Sequence, residues 1–96
     1  MNTKAEIVHK LKEIKSFLEM EYAVSSIGIF GSFSNETQTS KSDIDILVEF
    51  NSPIGWKFFT LELYLQKLLN RKVDLITKDA LKRQLKDQIL KDTLFI

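Results

Sequence analysis

The sequence predicts a sheet with helices packed on it, of α/β or α+β class. Segments with helical and strand periodicity alternate along the chain in the order α-β-(α)-β-α-β-α. The strand segments are short and apolar on at least one side, as strands backed by helices must be. The one Pro/Gly cluster, residues 51–55, is long enough for a turn and too short for a domain linker. With 96 residues, no internal repeat and no low-complexity segment, a single domain spanning 1–96 is expected.

Each element has its own signal. Over residues 4–22, Ile7, Leu11, Ile14, Leu18 and Tyr22 recur at three- and four-residue steps, and Val8 and Phe17 widen the stripe. Lys4, Lys10, Lys12 and Lys15 fall mainly on the other face. Asn2 or Thr3 can cap this helix, with Glu6 at capping-box distance from Thr3. Val24–Phe30 reads as a strand ending at Gly31. Residues 32–42 are polar, with room for a short helix after Ser32 and then a loop. Residues 43–50 form the clearest strand: Asp43, Asp45, Leu47 and Glu49 point one way, and Ile44, Ile46, Val48 and Phe50 point the other, towards the core. Residues 56–70 read as a helix with apolar positions on more than one stripe. The simpler reading of Trp56, Phe58 and Phe59 is that they fill the core under the sheet; the other is a contact surface. Residues 72–77 give a short strand with Val73 and Leu75 opposite Asp74. Asp79 is placed to cap a last helix carrying Leu81, Leu85 and Ile89 in register. The tail Leu94, Phe95, Ile96 is expected to dock on the core or on a partner.

Composition excludes several functions. There is no cysteine, hence no disulfide framework and no thiolate metal site. The one histidine, His9, reads as a surface or boundary residue and cannot build a triad or a zinc site by itself. No apolar run approaches the roughly 18–20 residues of a membrane-spanning helix, and the charged N-terminus lacks a signal-peptide core. A cytoplasmic protein without a membrane partner is expected. The net charge of +1, with acids and bases interspersed, argues against strong duplex-DNA binding. It leaves a nucleotide ligand open, since that needs only local positive charge and a divalent cation.

The chemistry concentrates between Ile27 and Phe50. Asp43 and Asp45 lie two apart on a strand, so both carboxylates share one face. Two ionised carboxylates this close repel each other unless a hard cation such as Mg²⁺ lies between them. Asp74 adds a third acid on another strand, again opposite the apolar residues. Three such acids can hold two metals about 3.5–4 Å apart, the arrangement that serves an in-line displacement. Gly31 at a strand end lets a phosphate approach the backbone. Ser32, opening a helix, offers a hydroxyl and free N–H groups to an anion. Taken singly, Gly-Ser is more often an ordinary turn, and Asp-x-Asp more often a polar strand face or a helix cap. Their combination at this spacing, with a later strand acid, is what points to phosphoryl chemistry.

Gly31-Ser32, the ten residues 33–42 and Asp43-Ile44-Asp45 resemble the motif of the DNA polymerase beta superfamily of nucleotidyltransferases. The flanking SDIDILVEF, the later KVDLIT and the chain length are similar to its small members, the minimal nucleotidyltransferases (MNT), over nearly the whole chain. The resemblance implies a nucleotidyltransferase palm of α+β class, a small mixed sheet with helices packed on it. It implies that Asp43, Asp45 and Asp74 bind Mg²⁺, two ions in all, and that Gly31 and Ser32 contact nucleotide phosphate. The implied reaction is transfer of AMP from ATP to a hydroxyl, with pyrophosphate leaving and the last aspartate favouring hydroxyl deprotonation. One departure stands out. Where many relatives read Ala-Arg-Gly, this chain has Ser34, Asn35 and Glu36, so an arginine is missing and an acid is added. Lys41 is a candidate for compensating charge.

A chain this short leaves no residues for an acceptor-holding second domain, so the acceptor is expected on another protein. MNT proteins of this size are typically antitoxins paired with a HEPN-domain toxin, a ribonuclease on which they adenylylate a tyrosine. The resemblance therefore implies a HEPN toxin as partner and a hetero-oligomer. Two alternatives stay open: a binding module that neutralises its partner by contact, and an adenylyltransferase of a small hydroxylated molecule.

Overall fold

Thr3 starts the first helix. Its Oγ1 accepts the Glu6 N–H at 3.2 Å, and its own N–H donates to Glu6 Oε1 at 3.3 Å, the reciprocal capping box that the sequence predicts. This is a computed structural model, and it describes residues 3–31 and 43–96. The short helix expected after Ser32, together with Ser32, Ser34, Asn35, Glu36 and Lys41, lies outside the described residues.

Helix α1 spans Lys4–Tyr22 and ends at Ala23, whose left-handed backbone (φ 55°) lets its N–H donate to the Leu18 carbonyl. That reversal turns the chain straight into β1, Val24–Phe30. Strand β2, Ile44–Phe50, returns antiparallel beside β1. Helix α2, Lys57–Leu69, carries the chain back to β3, Val73–Thr77, which runs parallel to β2. A 3-10 turn over Lys78–Ala80 leads to α3, Arg83–Asp92, and to a two-residue strand β4, Leu94–Phe95. The sheet order is β3-β2-β1-β4, with one parallel and two antiparallel pairs. The expected α+β class with a small mixed sheet is what the chain adopts.

One sheet face meets α1 and α2. Ile7, Leu11, Leu18 and Tyr22 of α1, and Leu61, Leu65 and Leu69 of α2, close over Ile27, Ile29, Ile44, Ile46, Val48, Val73 and Leu75. Each fully buried aliphatic side chain here contributes about 1.5–3 kcal/mol of apolar transfer free energy. The apolar set expected of β2 thus faces the helices. Leu47, on the side of the acids, is also buried. As the strand between β1 and β3, β2 keeps Asp43, Asp45 and Glu49 partly accessible on that side and covers the leucine between them.

Two expectations need correction. Trp56 and Phe59 do not fill the core: they are 84% and 56% exposed, and only Phe58 of that trio packs against the cluster. Leu61, Leu65 and Leu69, four apart, already occupy the buried stripe of α2, so side chains a third of a turn away are turned outward. Asp79 does not cap the last helix. It sits inside the 3-10 turn, Leu81 and Lys82 are extended, and Lys82 takes the cap position without a side-chain hydrogen bond. The tail docks on the core as expected, and it does so as a short strand. Its Phe95 pairs with Gly28 and its Leu94 with Ile29, while Ile96 packs on the core. His9 lies at the surface as expected, with Glu13 Oε1 2.6 Å away.

Candidate active site

The register of the sheet builds the site. Asp45 and Asp74 are direct partners in the parallel β2–β3 pair, and Asp45 is also opposite Phe30 of β1. Neighbouring strands are about 4.7–4.9 Å apart, so the two aspartates stand side by side. Ile44 and Ile46 anchor β2 through the core on either side of Asp45. Val73 and Leu75 do the same for Asp74.

β3 lies at the edge of the sheet, and α2 ties that edge down. The Val73 N–H donates to Gln66 Oε1 at 3.1 Å, and the Leu75 N–H donates to Glu62 Oε2 at 3.3 Å. Both backbone neighbours of Asp74 are thereby held by α2 side chains, and the edge donors are satisfied. Glu62 and Gln66 carry no motif that marks them in the sequence. Their four-residue spacing, which puts them on one face of α2, is the signal that was available.

Gly31 follows β1 with φ +74°, a left-handed conformation. A Cβ built there would overlap Asp45 Oδ2 and lie 3.3 Å from its Cγ. The space next to this glycine therefore already holds the Asp45 carboxylate. This differs from the sequence reading, in which the glycine chiefly admits phosphate. The Gly-Ser half of the motif and the Asp-x-Asp half meet at that contact.

Asp45 feels its surroundings. Partial burial pushes its carboxyl above the usual range, and the nearby Asp74 and Asp43 charges push it the same way. Asp43 sits just before β2 with Lys72 Nζ 3.9 Å from its Oδ2. The Ile44 N–H donates to the Lys72 carbonyl at 3.0 Å, so the two backbones are locked where that ion pair forms. Among the described residues, no three acid or imidazole side chains converge into a ready-made metal-binding group. What the structure brings together is an oxygen-only donor set in which burial first, and then the charges of Asp74 and Asp43, raise Asp45; oxygen donors are the kind that a hard cation takes. Gly31 and all three acids lie at this end of the sheet, whereas Ser32 lies outside the described residues.

A separate cleft of about 360 Å³ opens at the other end of β2 and β3, lined by Glu49, Asn51, Pro53, Thr77 and Lys78 among others. Its Val48–Thr77 pair lies three residues beyond Asp45–Asp74, roughly 10 Å along the strands. Asp43, Asp45 and Asp74 do not line it.

Comparison with known proteins defines the class to which this fold belongs. The nucleotidyltransferase domain family matches residues 11–96. MJ0128 of Methanocaldococcus jannaschii, provisionally named a protein adenylyltransferase, is 48% identical over 98 residues, covering 100% of both chains. Protein adenylyltransferase MntA of Thermococcus cleftensis is 37% identical, covering 100% of this chain and 98% of its own. Among solved structures, one described as a minimal nucleotidyltransferase superposes with TM-score 0.81 at 23% identity, covering 98% of this chain and 95% of that one. A chain from a toxin–antitoxin crystal structure with AMP-PNP superposes with TM-score 0.69 at 25% identity, covering 99% and 72%. A chain from the complex of tri-AMPylated Shewanella oneidensis HEPN toxin with MNT antitoxin gives 0.65 at 22% identity, covering 93% and 70%. The chain belongs to the nucleotidyltransferase domain family, and it is an enzyme of that class. Among its described residues, no helix is long and apolar enough to cross a membrane.

Proposed function

We propose that this protein transfers AMP from ATP to a hydroxyl, a tyrosine of a HEPN-domain toxin, and thereby acts as that toxin's antitoxin. The observation that carries the reading is the Asp45–Asp74 pairing, with Gly31 closed against the Asp45 carboxylate. Relatives named protein adenylyltransferases, and a similar toxin–antitoxin structure holding AMP-PNP, support the reaction class and the nucleotide.

In this reading Asp43, Asp45 and Asp74 hold Mg²⁺ by their oxygens. The bound ions would offset carboxylate repulsion, lower the pKa of the acceptor hydroxyl and stabilise charge on the α-phosphate. Gly31 keeps Asp45 in place and, with Ser32, meets the triphosphate. Asp74 takes up the acceptor proton as the hydroxyl oxygen attacks the α-phosphorus and pyrophosphate leaves. Glu62 and Gln66 hold the strand edge so that Asp74 does not drift. A catalytic site held to within about 0.5 Å needs such support. The whole chain, 1–96, works as one domain that borrows its acceptor from the partner.

One observation favours a second reading, neutralisation by contact. Trp56 at the N-cap of α2, with Phe59 and Leu63 on the helix, leaves an apolar stripe exposed, which suits an interface. One experiment separates the two. Purified protein is incubated with Mg²⁺, ATP labelled on the α-phosphate and its cognate HEPN protein. Label should appear on a tyrosine of the partner and vanish with the Asp43→Asn/Asp45→Asn double variant. Unchanged labelling by that variant would sink the assignment. If the variant transfers nothing yet still silences the toxin, contact is the mechanism.

A further inference from the structure

The four residues at the open end of β2 and β3 form a two-by-two set. Asp45 is beside Asp74 in register. One step upstream of the Ile44–Val73 pair, Asp43 is beside Lys72. Lys72 and Asp74 are two apart along the chain, as are Asp43 and Asp45, so the set presents three carboxylates and one ammonium. The Lys72–Asp43 ion pair is 3.9 Å long, with side chains 76% and 45% exposed. Contacts of this kind between exposed groups are weak, and Lys72 is free to exchange partners.

We propose that Lys72 is a substrate-binding residue that alternates between two anions. It neutralises Asp43 before the substrate complex forms. It swings onto a phosphate oxygen of the nucleoside triphosphate once Asp43 is engaged by a divalent cation. This inference rests on the acids forming the nucleotidyl-transfer site. The charges explain why the exchange is needed. A triphosphate brings several negative charges to a face that already carries three carboxylates, and the cation and Lys72 together offset them. A lysine serves as a mobile point charge here, since its flexible stem can reach either anion. The backbone of Lys72 stays fixed throughout, its carbonyl accepting the Ile44 N–H at 3.0 Å, so only the side chain moves.

The exchange predicts opposite effects of one substitution on two ligands. Lys72→Met removes the ammonium that competes for Asp43, so nucleotide-free protein should bind Mn²⁺ about two- to fivefold more tightly, the range expected of an exposed ion pair. The same variant should bind the β,γ-imido analogue of ATP with Mg²⁺ about tenfold more weakly, having lost a charge-assisted phosphate contact. Lys72→Arg should stay near wild type for both. Free Mn²⁺ is read by electron paramagnetic resonance and analogue binding by calorimetry, neither of which needs turnover. Circular dichroism verifies the fold of each variant, and Asp45→Asn is measured alongside. Both shifts together support the exchange, and either affinity remaining at the wild-type value overturns it. If wild-type protein binds neither ligand, or Asp45→Asn binds both as well as wild type, the site reading itself fails and takes Lys72 with it.

Discussion

Asp45→Asn should make this protein more stable and less active. Burial and the charges of Asp74 and Asp43 all disfavour the ionised Asp45 in the folded chain. Two unit charges roughly 5 Å apart, the strand spacing, repel by ~3 kcal/mol at an effective dielectric of about 20 and by ~0.8 kcal/mol in bulk water. Asp74 is exposed, which moves the pair towards the aqueous limit. Replacing the charge with an isosteric amide should therefore gain about 1 kcal/mol at pH 7. For a chain of this size that raises Tm by about 4–8 °C. The gain depends on pH with a defined sign. At low pH Asp45 is neutral in both folded and unfolded chains, and wild type and variant should melt together. As pH rises from the ordinary carboxylate value through the raised folded value, the unfolded chain gives up the proton first. Wild type loses stability across that window, and the variant does not. The assay is a thermal melt of both proteins from pH 3 to pH 8 in metal-free buffer. A variant that melts at or below wild type at pH 7, or a gap that does not depend on pH, would refute the electrostatic argument. Mg²⁺ should reverse the order by stabilising the wild type selectively, to an extent set by RT ln(1 + [L]/Kd).

Other substitutions probe the remaining parts. Gly31→Ala should cost about 1–2 kcal/mol for the left-handed backbone and should also displace Asp45, weakening Mn²⁺ binding. Gly55→Ala is its control: the backbone is again left-handed (φ +57°), but the new methyl meets nothing within 4 Å, so Mn²⁺ binding should not change. Urea midpoints and Mn²⁺ titrations read both effects. Leu65→Ala, at the centre of the buried stripe of α2, should lose about 2–5 kcal/mol in urea unfolding. Trp56→Ala should stay within about 0.5 kcal/mol of wild type despite removing the larger side chain, because Trp56 is exposed. A comparable loss at Trp56 would contradict its placement.

The residues legible from sequence were those whose spacing acts locally. The capping box of Thr3 and Glu6, the buried stripe of α1 and the alternation along β2 follow from helical and strand periods, and the structure carries all three. That Asp43 and Asp45 belong near one another follows from the same alternation. The failures came where several elements compete for one core. A hydrophobic count cannot tell which of the many apolar positions in and beside α2 turn inward, and Leu61, Leu65 and Leu69 already fill the interior that Trp56 and Phe59 would otherwise enter. The residue type of Asp79 suits a cap, yet the extended backbone of Leu81 and Lys82 starts the helix later. The two-residue strand of Leu94–Phe95 has no periodicity to detect, and only the open edge of β1 makes it a strand.

The sequence by itself determined the first two helices and the strands β1 to β3, the core-facing sides of β2 and β3, and the motif from Gly31 to Asp45 that marks the family resemblance. Short-range geometry suffices for these, because a two-residue or four-residue period fixes which side chains share a face. The tertiary structure decided that Asp74 is the partner of Asp45, that Gly31 is filled by that carboxylate and that Lys72 stands against Asp43. Those contacts join residues 14 to 29 positions apart in the chain. They depend on strand order and register, which are set by the burial of both faces of β2 and by the α2 hydrogen bonds to β3, and no local pattern encodes them.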